Sequence, residues 1–249
     1  LKKEVLTELP DKIESVFTAQ MSPEQAKVYE ATMMRLRQRV DSIVKEKGFE
    51  RGRTEVLAAI TQLREICCHP SLVLDDYTGT SGKLDMLLDM LPEAIAKGRR
   101  VLLFSAFTSM LKILRRELDD AGYETMYLDG DTPAQRRVEM AEQFNAGQGQ
   151  IFLISLKAGG TGLNLTGADV VIHYDPWWNT AARNQATDRA YRIGQTKGVQ
   201  VFDLIAADTI EERIVLLQQE KKALSDGVLL GEDSLFTVDA SALRAILKG

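Results

Sequence analysis

The pattern with the clearest chemical meaning is a glutamine and two arginines spaced at steps of four and three. They are Gln185, Arg189 and Arg192, in the segment QATDRAYRIGQ. Such steps place side chains on one face of a helix, and arginine is rarely buried without a partner. Paired guanidiniums commonly bind a phosphate and neutralise charge as it is transferred. The alternative is a solvated helix face on which the arginines pair with Asp188 or with glutamates.

A glycine-rich segment, LKAGGTGLNLTG, lies upstream of the arginines. Gly159, Gly160 and Gly162 would let backbone amides approach a phosphate closely, and Lys157 would add a positive charge. A plain tight turn after a strand explains an isolated glycine cluster equally well. A nicotinamide oxidoreductase fails on spacing, because G-x-G-x-x-G would need glycine at Leu165.

Short apolar runs and helical stretches alternate over most of the chain and must position these residues. The predicted strands are Val101–Phe104, Thr125–Leu128, Ile151–Ile154, Val170–His173 and Val199–Ile205. Helices are predicted between several of them, over residues 109–121 and 133–145. Strands that are apolar on both faces and joined by helices indicate an α/β fold, a parallel sheet with helices on both faces. Functional loops on such a sheet follow the carboxyl ends of the strands.

Two more loops follow predicted strands and carry small polar residues. Ser105 and Thr108 follow the strand in RVLLFSAFTSML, and Gly130 and Thr132 lie in YLDGDT. Each of these segments therefore lies just after a predicted strand, where functional loops of such a sheet are expected.

Three patterns that suggest metal or nucleotide sites fit those sites poorly. Asp129 and Asp131 lie in a turn, where carboxylates more often cap the backbone than bind a metal. Cys67, Cys68 and His69 are adjacent, with no second ligand pair to complete a zinc site. The segment GTSGK lacks the first glycine and the final hydroxyl residue of a P-loop. We therefore predict no metal site in this chain.

The remaining segments are predicted to be mainly helical. Residues 1–77 contain predicted helices over 21–47, opened by Ser22 and Pro23, and over 54–67. Residues 75–82 form a linker rich in turn formers, and 209–224 form a charged amphipathic helix. The final LRAILKG could be a small docking helix.

Composition narrows the class of protein without naming a function. The net charge is −5 over 249 residues, so any nucleic-acid contact must come from a local patch. Two adjacent cysteines cannot build a disulfide framework, which indicates a reducing compartment. No apolar run is long enough to cross a membrane, and no signal peptide is recognisable. Because the chain begins at Leu1 without an initiator methionine, we expect it to be a fragment.

Taken together, these segments resemble the Snf (Swi/Snf-type) family of superfamily-2 helicase-like ATPases, which are ATP-driven DNA translocases. QATDRAYRIGQ is similar to motif VI, the glycine segment with the following DPWWN to motif V, and RVLLFSAFTSML to motif IV. YLDGDT is similar to the motif that follows motif IV. LREICCHP matches the family's LRxxCxHP signature, and SGKL the usual entry to the second RecA-like lobe. LPDKIESVF and SPEQAKVYE match the connector and helical protrusion, and IEERIVLLQQEKKALSDGVL matches the brace helix.

The resemblance implies roles for individual residues. Arg189 and Arg192 would be catalytic arginine fingers for an ATP γ-phosphate held on a partner lobe, and Gln185 and Gly162 would contact the nucleotide. Contacts to the DNA backbone would come from the loops that follow three of the predicted strands, through Ser105, Thr108, Gly130, Thr132, Lys157, Gly159, Gly160 and Thr161. Asp131 stands where the family often has serine, which weakens the expectation of a phosphate contact there.

The resemblance also implies a divided motor. The chain lacks a P-loop and a D-E-x-H box, so ATP and Mg²⁺ would be bound mainly by a first RecA-like lobe preceding Leu1. The expected domains are a connector and helical protrusion at 1–78, the second RecA-like lobe at 79–207, a brace helix at 208–226 and a tail at 227–249. The lobe alone is expected to be inactive.

The expected partners are the backbone of double-stranded DNA and the first lobe of the same protein, in a monomer without membrane association. The location would be cytoplasmic and nucleoid-associated in a bacterium or archaeon, and nuclear in a eukaryote. Two alternatives stay open at this stage: a strand-separating helicase on DNA or RNA from the same superfamily, and a non-catalytic module that binds DNA or protein.

Overall fold

The computed structural model describes residues 9–158, 162–177, 180–227 and 246, with the backbone alone for residues 47, 49, 50 and 221–227. The strands are β1 (Lys12–Ala19), β2 (Val101–Ser105), β3 (Thr125–Leu128), β4 (Ile151–Ser155), β5 (Val170–His173) and β6 (Val199–Ala206). The helices are α1 (Pro23–Lys47), α2 (Phe49–Cys68), α3 (Gly82–Ala96), α4 (Thr108–Asp120), α5 (Ala134–Asn145), α6 (Thr180–Thr187) and α7 (Ile210–Gly227), with a 3₁₀ turn at Pro70–Leu72.

The six strands form one sheet in the order β1-β6-β5-β2-β4-β3. β2 lies in the interior and pairs in parallel with both β4 and β5, in registers that begin Val101↔Ile151 and Val101↔Val170. The β3–β4 and β5–β6 pairs are also parallel. The carboxyl ends of β2, β3, β4 and β5 therefore lie along one edge, and the loops that follow them meet there. The predicted α/β, RecA-like fold class is confirmed.

The interior strands are buried along their whole length because both faces of the sheet are covered. Every residue of β2, β4 and β5 is buried, which matches their continuous apolar sequences. α4 packs against β2, β3 and β4. The sequence predicted β2, β4 and β5 to within one residue, because a short run that is apolar on both faces and bounded by turns is a strong strand signal.

The prediction that residues 1–77 are mainly helical is wrong at residues 12–19. Residues 12–19 form the edge strand β1, next to β6. Seven of its eight residues are exposed or half-buried, with Ala19 alone buried. The alternation between a buried and a solvated face, by which a strand is recognised, is therefore missing from KIESVFTA.

Most predicted helices agree with the structure to within a few residues, but α2 begins at Phe49 where residue 54 was predicted. Ser22 caps α1, and its Oγ accepts a hydrogen bond from Gln25 N. α6, however, ends at Thr187, so Arg189 and Arg192 lie beyond it and do not share a helical face with Gln185. The chain tightens there because Arg189 N and Ala190 N donate to the carbonyls three residues back.

The described residues divide into two compact units. One comprises residues 1–17 and 86–204, and the other comprises residues 18–85 and 205–249. In the second unit α1 packs on α2. Gln25 joins its parts: Nε2 donates to the carbonyls of Ile66 and Cys67, and Oε1 accepts from Gly82 N. A β-carbon at Gly82 would lie 1.8 Å from the Gln20 carbonyl oxygen, so this position requires glycine.

The second unit contains a fully buried ion pair. Lys83 Nζ donates to both carboxylate oxygens of Glu211, at 2.8 and 3.0 Å, and neither side chain has any exposed surface. Ala206 N donates to the same carboxylate at 2.8 Å. Lys83 is thus engaged inside the protein, in agreement with the prediction that GTSGK is not a phosphate-binding P-loop.

Candidate functional site

Four residues predicted to contact the nucleotide line one cleft in the first unit. The cleft has a volume of about 490 Å³, and Gly162, Gln185, Arg189 and Arg192 all contribute to it. The other lining residues are Leu9, Leu163, Asp188, Tyr191 and Ile193. The structure therefore brings these predicted residues together, although not through the single helical face that their spacing predicts.

The guanidinium of Arg189 is the most unusual group in this cleft. Arg189 is 4% exposed, and its Nε and Nη1 atoms have no hydrogen-bond partner among the described residues. Burial lowers the pKa of Arg189 to about 10, so the side chain is still a cation at neutral pH. A buried cation without a counter-ion is costly, and an anion entering the cleft would relieve that cost.

Arg192 and Gln185 present their side chains differently. Both residues are exposed, and the described residues form no ion pair with Arg192. The alternative of a solvated face with paired arginines therefore finds no support in the part of the chain described. One wall of the cleft is tied to the other by the hydrogen bond from Leu165 N to the Arg189 carbonyl, at 2.9 Å.

Gly162 begins the described part of the loop that faces these arginines. Its φ is +27°, a backbone conformation that L side chains rarely adopt, while a β-carbon there would have no heavy atom within 4 Å. The backbone conformation, and not a lack of space, is therefore the reason for glycine at this position. The predicted contacts Gly159, Gly160 and Thr161 lie outside the described residues.

Ser105, predicted to contact DNA, has its hydroxyl engaged within the protein. Ser105 is fully buried, and its Oγ donates to the carboxylate of Asp175 in the loop after β5. Ala106 N donates to the same carboxylate, and Phe107 N donates to Ser105 Oγ. Ser105 and Asp175 thus join the loops after two neighbouring strands. Thr108, three residues further on, is exposed at the start of α4.

Gly130 and Thr132 lie in the loop after β3, which is held by Arg137. The Arg137 guanidinium donates to the carbonyls of Thr132, Gly130 and Ala158. Because Ala158 follows β4, this one side chain joins two loops of the carboxyl edge. Lys157, next to Ala158, is exposed and could meet a phosphate.

Asp129 caps its own turn, as predicted. Its Oδ1 accepts from Asp131 N at 3.0 Å, and its Oδ2 accepts from the Tyr127 hydroxyl at 2.9 Å. Partial burial raises the pKa of Asp129, but these hydrogen bonds and those from Thr132 outweigh it, so that the pKa is lowered overall. No group of three or more potential metal ligands occurs among the residues that the structure describes.

His173, at the end of β5, contacts the helix that precedes the arginines. Its Nε2 lies 2.9 Å from Thr187 Oγ1, and its ring stacks on Phe104. Burial lowers the pKa of His173 to about 4, so the ring is neutral at physiological pH. The sequence did not single out His173, since a lone histidine within a strand carries no chemical signal.

Sequence reasoning also missed Arg137, Asp175 and Tyr191. Arg137 stands in an amphipathic helix where an arginine is unremarkable, and Asp175 lies in DPWWN without a spacing that indicates its partner. The sequence gives no signal for either residue, because each acts through a loop that is distant along the chain.

Arg183 lies in the helix that precedes the cleft arginines and forms ion pairs with Asp203 and Glu14, so it has its own counter-ions.

Comparisons with known proteins agree with this fold. A family model described as the helicase conserved C-terminal domain matches residues 82–194, and one described as the SNF2-related domain matches residues 1–72. The cleft arginines lie within the first of these matches.

Relatives come from bacteria, archaea and eukaryotes. An uncharacterised ATP-dependent helicase of Mycoplasma pneumoniae is 38% identical over 236 residues, covering 94% of this chain and 22% of the relative. The human SWI/SNF-related matrix-associated actin-dependent regulator of chromatin subfamily A member 1 is 37% identical over 256 residues, covering 98% and 24%. The Sulfolobus solfataricus SWI2/SNF2 ATPase core in complex with dsDNA is 32% identical with a TM-score of 0.77, covering 99% of this chain and 52% of that one.

The parallel sheet, the loops at its carboxyl edge and the matched models define the class as the C-terminal, RecA-like lobe of a superfamily-2 helicase. Within that class, the chain belongs to the Snf (Swi/Snf-type) family. It spans about a quarter of the length of the curated relatives it matches. None of the helices in the described ranges is long and apolar enough to cross a membrane.

Proposed function

We propose that this chain is the second lobe of an ATP-dependent duplex-DNA translocase, in which it supplies arginine fingers and part of the contact to the DNA backbone. The observation that carries the proposal is the buried Arg189 guanidinium, which has no protein partner for Nε and Nη1 among the described residues. A cation in that state, lining a cleft with Arg192 and Gln185, suits an anion that arrives from outside the chain. A nucleotide phosphate is such an anion.

In the proposed mechanism the two arginines stabilise charge that develops on the γ-phosphate. Arg189 is preorganised, because burial and the bond from Leu165 N hold its segment in place. Arg192 is exposed and reaches the phosphate when the lobes close. Gln185 and Gly162 complete the wall that faces the nucleotide. ATP and Mg²⁺ would be held mainly by a first lobe, and the magnesium ion would neutralise phosphate charge there.

The DNA backbone would be contacted by the loops at the carboxyl edge of the sheet. Thr108, Lys157 and Gly130 are exposed and would make these contacts directly. Ser105 would act by fixing its own loop, since its hydroxyl is bound to Asp175. Contacts of this kind read no bases, so we expect little sequence specificity. The net charge of −5 makes such a local contact necessary.

The proposed domain organisation assigns residues 1–78 to the connector and helical protrusion, 79–207 to the lobe and 208–226 to the brace. Closure over ATP and opening after hydrolysis would move the lobes along one strand of the duplex. A monomer with a first lobe in the same chain would suffice for this cycle.

The test is ATP hydrolysis by the intact two-lobed protein, with and without duplex DNA, wild type beside Arg192→Ala. The proposal expects strong stimulation by duplex DNA that the substitution abolishes while DNA binding persists. An ATP hydrolysis rate that duplex DNA does not change, or a wild-type rate in Arg192→Ala, would refute the proposal. Separation of strands by the wild type would show a helicase, and DNA binding without hydrolysis would show a binding module.

A further inference from the structure

Gln195, the last residue of QATDRAYRIGQ, has a buried side chain that joins both walls of the cleft. It is 6% exposed. Its Nε2 donates to the carbonyls of Thr166, Ala168 and Ala190, at 3.3, 2.7 and 3.0 Å. Two of these carbonyls belong to the loop that follows Gly162, and the third belongs to the residue after Arg189.

The other end of the same amide fixes the turn in which Arg192 lies. Gln195 Oε1 accepts hydrogen bonds from Thr196 N and Lys197 N, both at 2.9 Å. The backbone N of Gln195 donates to the carbonyl of Arg192, also at 2.9 Å. The position of Gln195 is therefore set at both ends of its side chain and at its backbone.

We infer that Gln195 is a positioning residue for the arginine pair, an inference that rests on the proposed function. By binding the loop of residues 166–168 and the turn of residues 190–197, its amide sets the separation between Gly162 on one wall and Arg189 and Arg192 on the other. It touches neither phosphate nor water in the reaction. Its effect is on where the guanidiniums lie when a phosphate arrives.

The amide group is what this role requires. An amide donates through nitrogen and accepts through oxygen at the same time. Glutamate at this position would still accept from Thr196 and Lys197 but would place negative oxygen against three carbonyls. Methionine would fill a similar volume and make none of these hydrogen bonds. The two substitutions therefore separate the donor end from the whole network.

The kinetic test compares Gln195→Glu and Gln195→Met with wild type in the intact two-lobed protein. Gln38→Glu, an exposed glutamine on α1, introduces the same charge change away from the cleft and serves as the control. We expect kcat of DNA-stimulated hydrolysis to fall about 10- to 100-fold in both Gln195 variants, the scale of a displacement near 1 Å. KM for ATP and for duplex DNA should stay within about threefold, because the binding surfaces are kept.

A second readout uses the chain itself and does not depend on hydrolysis. The amide of Leu165 donates to the Arg189 carbonyl and not to Gln195, so it reports whether the two walls stay together. We expect its hydrogen exchange to accelerate at least about tenfold in Gln195→Met, while amides of the buried strand β2 keep wild-type rates. The same spectra show whether each variant is folded.

The outcomes separate the two proposals. The positioning role is overturned if both Gln195 variants keep the wild-type kcat, or if their kcat/KM falls only because KM rises. Either result leaves the proposed function standing. Absence of DNA-stimulated hydrolysis in wild type overturns the proposed function. In that case the exchange of Leu165 alone decides whether Gln195 holds the walls, and an unchanged rate overturns the inference.

Discussion

Lys83 and Arg189 are both buried cations, and they differ in their counter-ions. Lys83, in the second unit, donates twice to the Glu211 carboxylate. Arg189, in the first unit, has Nε and Nη1 without a partner among the described residues. Lys83 lies in the SGK motif and Arg189 in QATDRAYRIGQ, and both segments are candidates for phosphate binding from their sequence. Their surroundings therefore separate a structural cation from one that awaits a ligand, which residue type alone does not.

The two buried cations contribute differently to the free energy of unfolding. Removing one partner of a buried ion pair destabilises the fold strongly, because the other charge is left buried alone. Replacing both partners by apolar residues often changes stability little. An unsatisfied buried cation is a cost in the free protein, and a bound anion offsets that cost. Removing Lys83 should therefore lower the free energy of unfolding, whereas removing Arg189 should not.

The largest expected effect is on hydrolysis in Arg189→Met. In the intact protein we expect a loss of about 10³-fold or more, the scale known for arginine fingers. The isolated chain should unfold at the same urea concentration as wild type or higher, because the variant removes a buried cation that has no ion-pair partner among the described residues. ATP turnover and a urea titration measure the two sides. A strongly destabilised variant would mean that Arg189 is structural after all.

Removal of Lys83 should act in the opposite way. Lys83→Met leaves the Glu211 carboxylate buried without its ammonium, and we expect a loss of about 3–5 kcal/mol in the free energy of unfolding. The double variant Lys83→Met with Glu211→Leu should recover most of that loss, since no charge is then stranded. Urea unfolding of the chain checks both. Equal instability of the single and double variants would contradict the ion-pair account.

The pH dependence of stability should report His173. Its pKa is lowered from 6.5 to about 4 in the folded chain, so the unfolded chain binds the proton more tightly. The stabilising contribution of neutral His173 is complete above pH 6.5 and is lost as the pH falls toward 4, by up to about 3 kcal/mol. Urea unfolding at pH 7 and pH 5 should show a smaller difference for His173→Gln than for wild type. Identical pH dependence in both would exclude the histidine as a contributor.

The smallest expected effect is at Ser105. Ser105→Ala removes a buried hydrogen bond to Asp175, and we expect a loss of about 1–3 kcal/mol in stability. Because the hydroxyl is bound within the protein, the affinity of the folded protein for duplex DNA should change by less than about threefold. Lys157→Ala, at an exposed position, should weaken binding more and should reduce its salt dependence. A larger effect on affinity at Ser105 would restore it as a direct contact.

The sequence predicted the framework of the molecule better than its site. The strands β2, β4 and β5 follow from buried apolar runs, and the cap at Ser22 follows from the local sequence around it. The ends of α6 and the existence of β1 could not be predicted from the sequence, because tertiary contacts determine both. The cleft residues were predicted through resemblance, whereas the roles of Arg137, Asp175 and Gln195 depend on loops brought together by the sheet.

The placement of β1 also has a consequence for the synthesis of the chain. β1 lies at the edge of the sheet beside β6, and these are the first and the last of the described strands to leave the ribosome. At roughly 5–20 residues per second, β1 waits on the order of ten to forty seconds for its partner. Even in the folded chain it exposes Ile13, Val16 and Phe17, so during that interval it is an unpaired apolar strand of the kind that aggregates. Expression at lower temperature or with chaperones should therefore raise the soluble yield, and a truncation before Val199 should lower it.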